Sequence, residues 1–262
     1  MTEVRITTPR GVTLAGTWTV PVDAGDAAIV FAHGFLTDRH AVGWFDKFGA
    51  RYRACGYATL AFDFSGCGES ADDIVTLEHA VEDLRAASGW VADEGFRRQI
   101  VHAHGTGATA ALTARPTHTR CLVATSPVIE PRAIEWDQVF SASQLDQLET
   151  IGHTAIPNDV ECENSREHFV ISKQTLQDLS MADPVALLTD LPFPALLMFD
   201  DIDVERGLAP IAADTARALP PQCAHKVLTG ARFSAGAAAP SSGLEDEWRE
   251  AHTWVTRHVP PR

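Results

Sequence analysis

The sequence predicts an α/β fold: a mostly parallel sheet flanked by helices, with one inserted cap. Three observations predict it. Strand-length apolar runs alternate with helix-length amphipathic segments along residues 1–127 and again along 191–262, the order that builds parallel strands joined by helices. The runs AAIVFAH (27–33) and PALLMFD (194–200) are apolar up to their last residue, which suits strands covered on both faces. The alternation lapses over residues 128–190, where the chain is polar, acidic and irregular. An insertion between two core strands is expected to cap the sheet's carboxyl edge, where open α/β sheets bind ligands.

The elements follow in order. VRITTPRGVTLAGTWTVP alternates apolar and polar residues around Pro9-Arg10-Gly11 and predicts an antiparallel hairpin. After the strand at 27–33, residues 44–55 have helical spacing, YATLAFDF is a strand, and 77–91 form an amphipathic helix. QIVHAH is the next strand, 108–114 a helix, and CLVATSP a strand. Within the insertion, NDVECENSREHFVI (158–171) suggests a hairpin. Beyond it come the strand PALLMFD, a helix over 204–219, the strand AHKVLTG and a helix over 244–258; SAGAAAPSSG (234–243) is a flexible loop.

Totals narrow the function. The 262 residues suit one core with a sizeable insertion. A net charge of −14 sets the chain against nucleic acid and anionic membrane surfaces, because both would be repelled. Cys55, Cys67, Cys121, Cys162 and Cys223 are scattered without a CxxC pair, so reduced thiols are expected and no zinc site. No signal-peptide pattern opens the chain, and no apolar run reaches the ~20 residues of a membrane helix. A cytoplasmic protein without metal or cofactor is expected; its oligomeric state stays open.

Four stretches stand in a recognisable order: FAHGFLTDRH (31–40), FDFSGCGES (62–70), AHGTG (103–107) and LQDLSMADPVALLTDLPFPALLMFDDID (176–203). Together they resemble the α/β-hydrolase superfamily over nearly the whole chain. The resemblance implies that fold, a strained turn between strand and helix at 103–107, and an oxyanion hole from the N–H groups of Phe35 and Thr106. It places the nucleophilic serine on Gly105 and the catalytic acid on Asp203. The histidine has no counterpart: the matching phrase reads Gly230-Ala231-Arg232-Phe233, and no histidine lies between His225 and His252. The chain is thus similar to a member lacking nucleophile and histidine, a pattern compatible with the tetronate acetate-eliminating lyases of polyketide biosynthesis.

What remains suits proton transfer. Base-promoted elimination needs a base and donors for the developing oxyanion, with no covalent intermediate. The candidate acid–base residues are His104, His33 and Asp203, with Asp203 orienting His104; the donors are Phe35 and Thr106. Gly105, Leu36, Trp136, Phe140 and Phe169 are expected around a hydrophobic small-molecule substrate. In its sharpest form the reaction removes acetate from an acetylated tetronate to leave an exocyclic alkene. His33 and His104 also have bland readings as loop brace and packing residue, and Asp203 as a solvated acid. His102 alternates to the other strand face from Ala103 and reads as structural. His153, His168, Glu161 and Glu163 in the cap either reach down as acid or base or face solvent. Two other functions stay open: a silent ligand- or partner-binding protein, and a hydrolase using Thr106 or Cys67 as nucleophile.

Overall fold

The computed structural model describes residues 1–158, 166–205, 207, 219–229 and 241–262. Its main sheet has eight strands in the order β1-β2-β4-β3-β5-β6-β9-β10. The hairpin of β1 (Thr2–Thr7) and β2 (Thr13–Thr19) is antiparallel and turns at Pro9-Arg10-Gly11. β2 runs antiparallel to β4 (Ala58–Phe62), whereas β4, β3 (Ala27–Ala32), β5 (Arg98–His104), β6 (Thr119–Thr125), β9 (Ala195–Asp200) and β10 (Ala224–Leu228) are mutually parallel. Every residue of β3 and β9 is buried, which is why their sequences show no alternation.

Helices seal the two faces. On one side α2 (Leu77–Asp93) and α3 (Thr106–Ala114) bury Leu84, Ala87, Val91 and Leu112 against Val30, Val101 and Leu197. On the other, α1 (Trp44–Ala54) and α9 (Ser241–His258) bury Phe45, Phe48, Tyr52 and Val255 against Phe31, Ile100 and Val123. β5 serves both: Val101 and Ala103 face α2 and α3, while Ile100 and His102 face α1. None of these helices is long and apolar enough to cross a membrane.

Between β6 and β9 lie α4 (Trp136–Val139), α5 (Ala142–Thr150), β7 (His153–Pro157), β8 (His168–Ser172), α6 (Lys173–Ser180) and α7 (Pro184–Leu188). This segment is more regular than its polar composition suggests, because side chains satisfy the helix ends. Ser141 with Gln144 and Ser172 with Thr175 form capping boxes, and Asp183 caps a helix that opens on Pro184. The segment docks on the loop that follows β4. Val75 N–H donates to the Val170 carbonyl, Thr175 Oγ to the Val75 carbonyl, and Leu77 N–H to Asp178 Oδ2.

Several boundaries differ from expectation. The hairpin pairs β7 with β8, so its first strand begins at His153, upstream of the 158–171 stretch; residues 159–165 of that stretch lie outside the described residues. Asp201–Glu205 is a short helix, α8, where an acid loop and then a helix from 204 were expected. Residues 206 and 208–218 of that expected helix lie outside the described residues. The last helix starts at Ser241, taking up the end of the expected loop, whose residues 234–240 are also outside.

Two helical glycines separate packing from propensity. A Cβ at Gly107 would come 2.2 Å from the His33 carbonyl oxygen and 2.5 Å from that of Ala32, whereas one at Gly89 meets nothing within 4 Å. Gly107→Ala should therefore destabilise by about 1–3 kcal/mol or more through overpacking. Gly89→Ala should stabilise by about 0.5–1 kcal/mol through helix propensity. Urea denaturation of both variants checks the pair; equal shifts would show that the approach at Gly107 is not a constraint.

Candidate active site

The turn between β5 and α3 is the site's anchor. Gly105 has φ 54° and ψ −123°, and its N–H donates to the Thr125 carbonyl on the neighbouring strand. A left-handed φ favours glycine. Space does not demand it: a Cβ built at Gly105 would meet only the Gly34 Cα, at 3.6 Å, an ordinary contact. The turn therefore has the room for a side chain and carries none.

Phe35 and Thr106 meet at one cavity of about 50 Å³. It lies between the loop after β3, the starts of α2 and α3, and α6. Leu36, Phe64, Leu77, Ala80, Val128 and Leu179 make its wall mostly apolar. Thr106 opens α3, so its N–H has no intrahelical acceptor. Among the described residues the Phe35 N–H has no protein acceptor either. Two residues whose N–H groups have no protein acceptor among the described residues thus line one apolar cavity.

The three acid–base candidates have different surroundings. His33 is buried and both its nitrogens are engaged: Nδ1 is 2.9 Å from the Gly34 carbonyl, and Nε2 accepts the Phe64 N–H at 3.0 Å. Burial lowers its pKa, so it braces the loop as a neutral ring. His104 is half-buried, its Nδ1 is 3.0 Å from Thr125 Oγ, and its ring meets Trp44 edge-on at 5.0 Å. Nε2 has no hydrogen-bond partner among the described residues. Burial first, then the nearby His33, lowers its pKa to about 4, leaving the imidazole neutral at pH 7. His104 does not line the apolar cavity; it lies behind Gly34, whose Cβ, if present, would be 3.0 Å from the His104 Cδ2.

Asp203 is buried on α8, which removes its reading as a solvated loop acid. Its Oδ2 accepts Ser126 Oγ–H at 2.5 Å and Asp200 N–H at 3.0 Å, while its own N–H donates to Asp200 Oδ1. Among the described residues it makes no hydrogen bond to His104, whose Nδ1 meets Thr125 Oγ instead. Desolvation raises the Asp203 pKa.

The expected aromatic lining is arranged differently. Trp136 and Phe140 stack with centroids 5.7 Å apart and join Leu148 and Ile171 in a small cluster. Phe35 and Leu36 pack against that cluster, so these rings touch the back of the site loop rather than the cavity. Phe169 is buried in the main core because β8 turns it inward. His153 and His168 are exposed, and Glu161 and Glu163 lie outside the described residues. Cys67 lines the cavity, but burial holds its thiol well above the usual range and thus protonated. His102 is fully buried among Phe31, Phe45 and Phe48, near the Tyr52 hydroxyl at 3.2 Å, with a pKa lowered to about 3.

Sequence reasoning missed Thr125, Ser126 and Asp178. Their neighbours become apparent only when β6 is known to lie beside β5 and α6 beside α2. Among the described residues no three His, Cys, Asp or Glu side chains are grouped to hold a metal ion.

The neutral imidazoles have a measurable consequence. His104 titrates near 6.5 when unfolded and near 4 when folded, and His102 near 3. Between those limits the unfolded chain binds more protons, so their contribution to stability is complete above pH 6.5 and is lost as pH falls toward 4. Each imidazole contributes a slope of up to about 1.4 kcal/mol per pH unit. In urea titrations from pH 7 to 4.5, His104→Gln should lose one imidazole's share of that slope. An unchanged slope would mean that His104 is protonated in the fold.

Comparison with known proteins agrees with this architecture. No curated protein matches the chain in sequence. Among solved structures, that of DcsB in complex with its substrate analogue superposes with a TM-score of 0.74 at 14% identity, covering 98% of this chain and 99% of that one. The α/β-hydrolase GrgF from Penicillium sp. sh18 gives 0.73 at 15% identity, covering 98% of both chains. The esterase domain of a Rhodothermus marinus protein gives 0.64 at 20% identity, again over 98% of both. At such identities the likeness establishes the α/β-hydrolase fold. The family model of the serine aminopeptidases, S33, matches residues 23–193, more than half of the chain, and the protein belongs to that family.

Proposed function

We propose that this member of the family lacks the hydrolytic nucleophile and histidine and acts by proton transfer, as a carbon–oxygen lyase, beneath a cap formed by residues 128–190. The observation that carries the reading is Gly105: the strained turn persists with φ 54°, with room for a Cβ and with no side chain. Nothing at that position can attack a carbonyl. Cys67, a possible substitute, is a protonated buried thiol. Thr106 opens α3 beside the cavity, where its N–H serves the oxyanion reading.

In this reading the substrate carbonyl sits at the Phe35 and Thr106 N–H groups. The adjacent carbon reaches past Gly34, which stands between His104 and the cavity, and gives its proton to His104 Nε2; the amides hold the resulting enolate oxygen, and the β C–O bond breaks to give an alkene and a carboxylate. A base whose conjugate acid has a pKa of about 4 requires an acidic C–H, which the delocalised anion of a tetronate ring provides. It can then hand its proton to the departing acetate, a group of comparable basicity. The substrate class is a small, largely apolar molecule; acetate loss from an acetylated tetronate is the sharpest case. The second reading is a silent ligand- or partner-binding protein, and the cavity's small size of about 50 Å³, far below the ~300 Å³ of ordinary ligand pockets, favours its partner-binding form.

Two experiments test this. Purified protein incubated with an acetylated tetronate should release acetate and form alkene together, and His104→Ala should lower kcat by roughly 10²-fold or more. Acetate with an alcohol in place of the alkene would restore a hydrolase, and no turnover would leave the binding protein. Fluorophosphonate treatment followed by intact-mass measurement should show no adduct. Gly105→Ser, which has room for its Cβ, should fold yet gain no esterase activity for want of an activating histidine. An esterase-active Gly105→Ser would mean that a working base already faces the turn.

A further inference from the structure

Thr125 is the last residue of β6 and is fully buried. In the parallel register it is the partner of His104. Its Oγ lies 3.0 Å from His104 Nδ1 and 3.3 Å from the Ala103 carbonyl oxygen. A hydroxyl has one proton to give. If that proton goes to the Ala103 carbonyl, Oγ faces Nδ1 as an acceptor, so Nδ1 must carry the ring's hydrogen.

The other ring contacts fix the ring's plane and set its opposite edge beside Gly34. Trp44 meets the ring edge-on and fixes its plane. Gly34 packs against Cδ2, the carbon bonded to Nε2, in a contact that a Cβ would tighten to 3.0 Å. Nε2 therefore lies beside the loop whose next residue, Phe35, supplies an oxyanion donor. Asp203, the acid that the family's pattern would assign to orienting a histidine, is bonded to Ser126 and Asp200 instead.

We propose that Thr125 is the positioning residue of this site: it holds His104 as the Nδ1–H tautomer, so that Nε2 presents a lone pair beside the Gly34–Phe35 loop. The proposal deepens the reading of His104 as the base and rests on it for its catalytic meaning. The tautomer itself does not depend on that reading. A ring held the other way would carry its hydrogen on Nε2 and could take no proton there.

Long-range ¹H–¹⁵N spectra of uniformly labelled protein distinguish the two tautomers, with His104→Gln identifying the His104 signals. The wild type should show a protonated Nδ1 and an unprotonated Nε2. Thr125→Ser, which keeps the hydroxyl, should retain that pattern. Thr125→Val, close in shape and suited to a buried strand, should lose it. With an acetylated tetronate, Thr125→Val should lower kcat by about tenfold or more with KM unchanged, as a wrong tautomer does in other enzymes, and Thr125→Ser should restore it. An Nε2–H ring in the wild type, or an unaltered tautomer in Thr125→Val, would overturn the proposal. The expected spectra combined with turnover insensitive to His104→Gln would overturn the base assignment instead, so the two failures are told apart.

Discussion

The backbone of α3 lies so close to the end of β3 that a Cβ at Gly107 would fall 2.2 Å from the His33 carbonyl oxygen. That approach brings the first turn of α3 against the loop after β3. Thr106 and Phe35 consequently face one cavity, although 71 positions separate them in the chain (106 − 35). Gly34 contributes from the other side, since it leaves room for both the His104 ring and the turn at Gly105. Holding two such distant residues at one cavity needs rigid elements on both sides, and the continuous apolar strands β3 and β5 supply them.

The loop that carries Phe35 is fixed further along by a buried ion pair. Asp63 accepts the backbone N–H of Arg39 at 2.6 Å, its guanidinium at 2.7 Å and the Glu69 N–H at 2.9 Å. Gly68 permits this close turn, because a Cβ there would lie 2.3 Å from the Asp63 carboxyl carbon. With the carboxylate partnered in this way, the buried charges can be kept; with one partner removed, the other would be a costly orphan. The FDFSGCGES stretch thus braces the site loop through Asp63 and lines the cavity with Phe64, Ser65 and Cys67.

Three imidazoles gather near the carboxyl edge, and desolvation lowers the pKa of each. Their partners separate their roles. His33 uses both nitrogens to hold the loop, and His102 lies among aromatic rings beneath the sheet. His104 alone of the three combines a held Nδ1 with a half-buried position beside the turn. Asp203 pairs with Ser126 across the ends of β9 and β6, so acid and imidazole, neighbours in the family's usual arrangement, have separate environments here.

The sequence by itself determined the elements and their kind. Apolar runs without alternation, as at 27–33, suited strands covered on both faces, and the HG, DxxGxG and AHGTG phrases stood in a single order. It also determined that position 105 has no side chain and that His102 and Ala103 face opposite ways, because a strand alternates. Only the tertiary structure decided who meets whom. Thr125 became the partner of His104 through the lateral order of β5 and β6, which no local pattern encodes. Trp136 and Phe140 were legible as apolar residues, yet whether they faced the cavity or one another depended on how α4 packs on the loop at Phe35. Local periodicity fixes which face of an element is apolar; the neighbour that covers it is chosen by long-range packing.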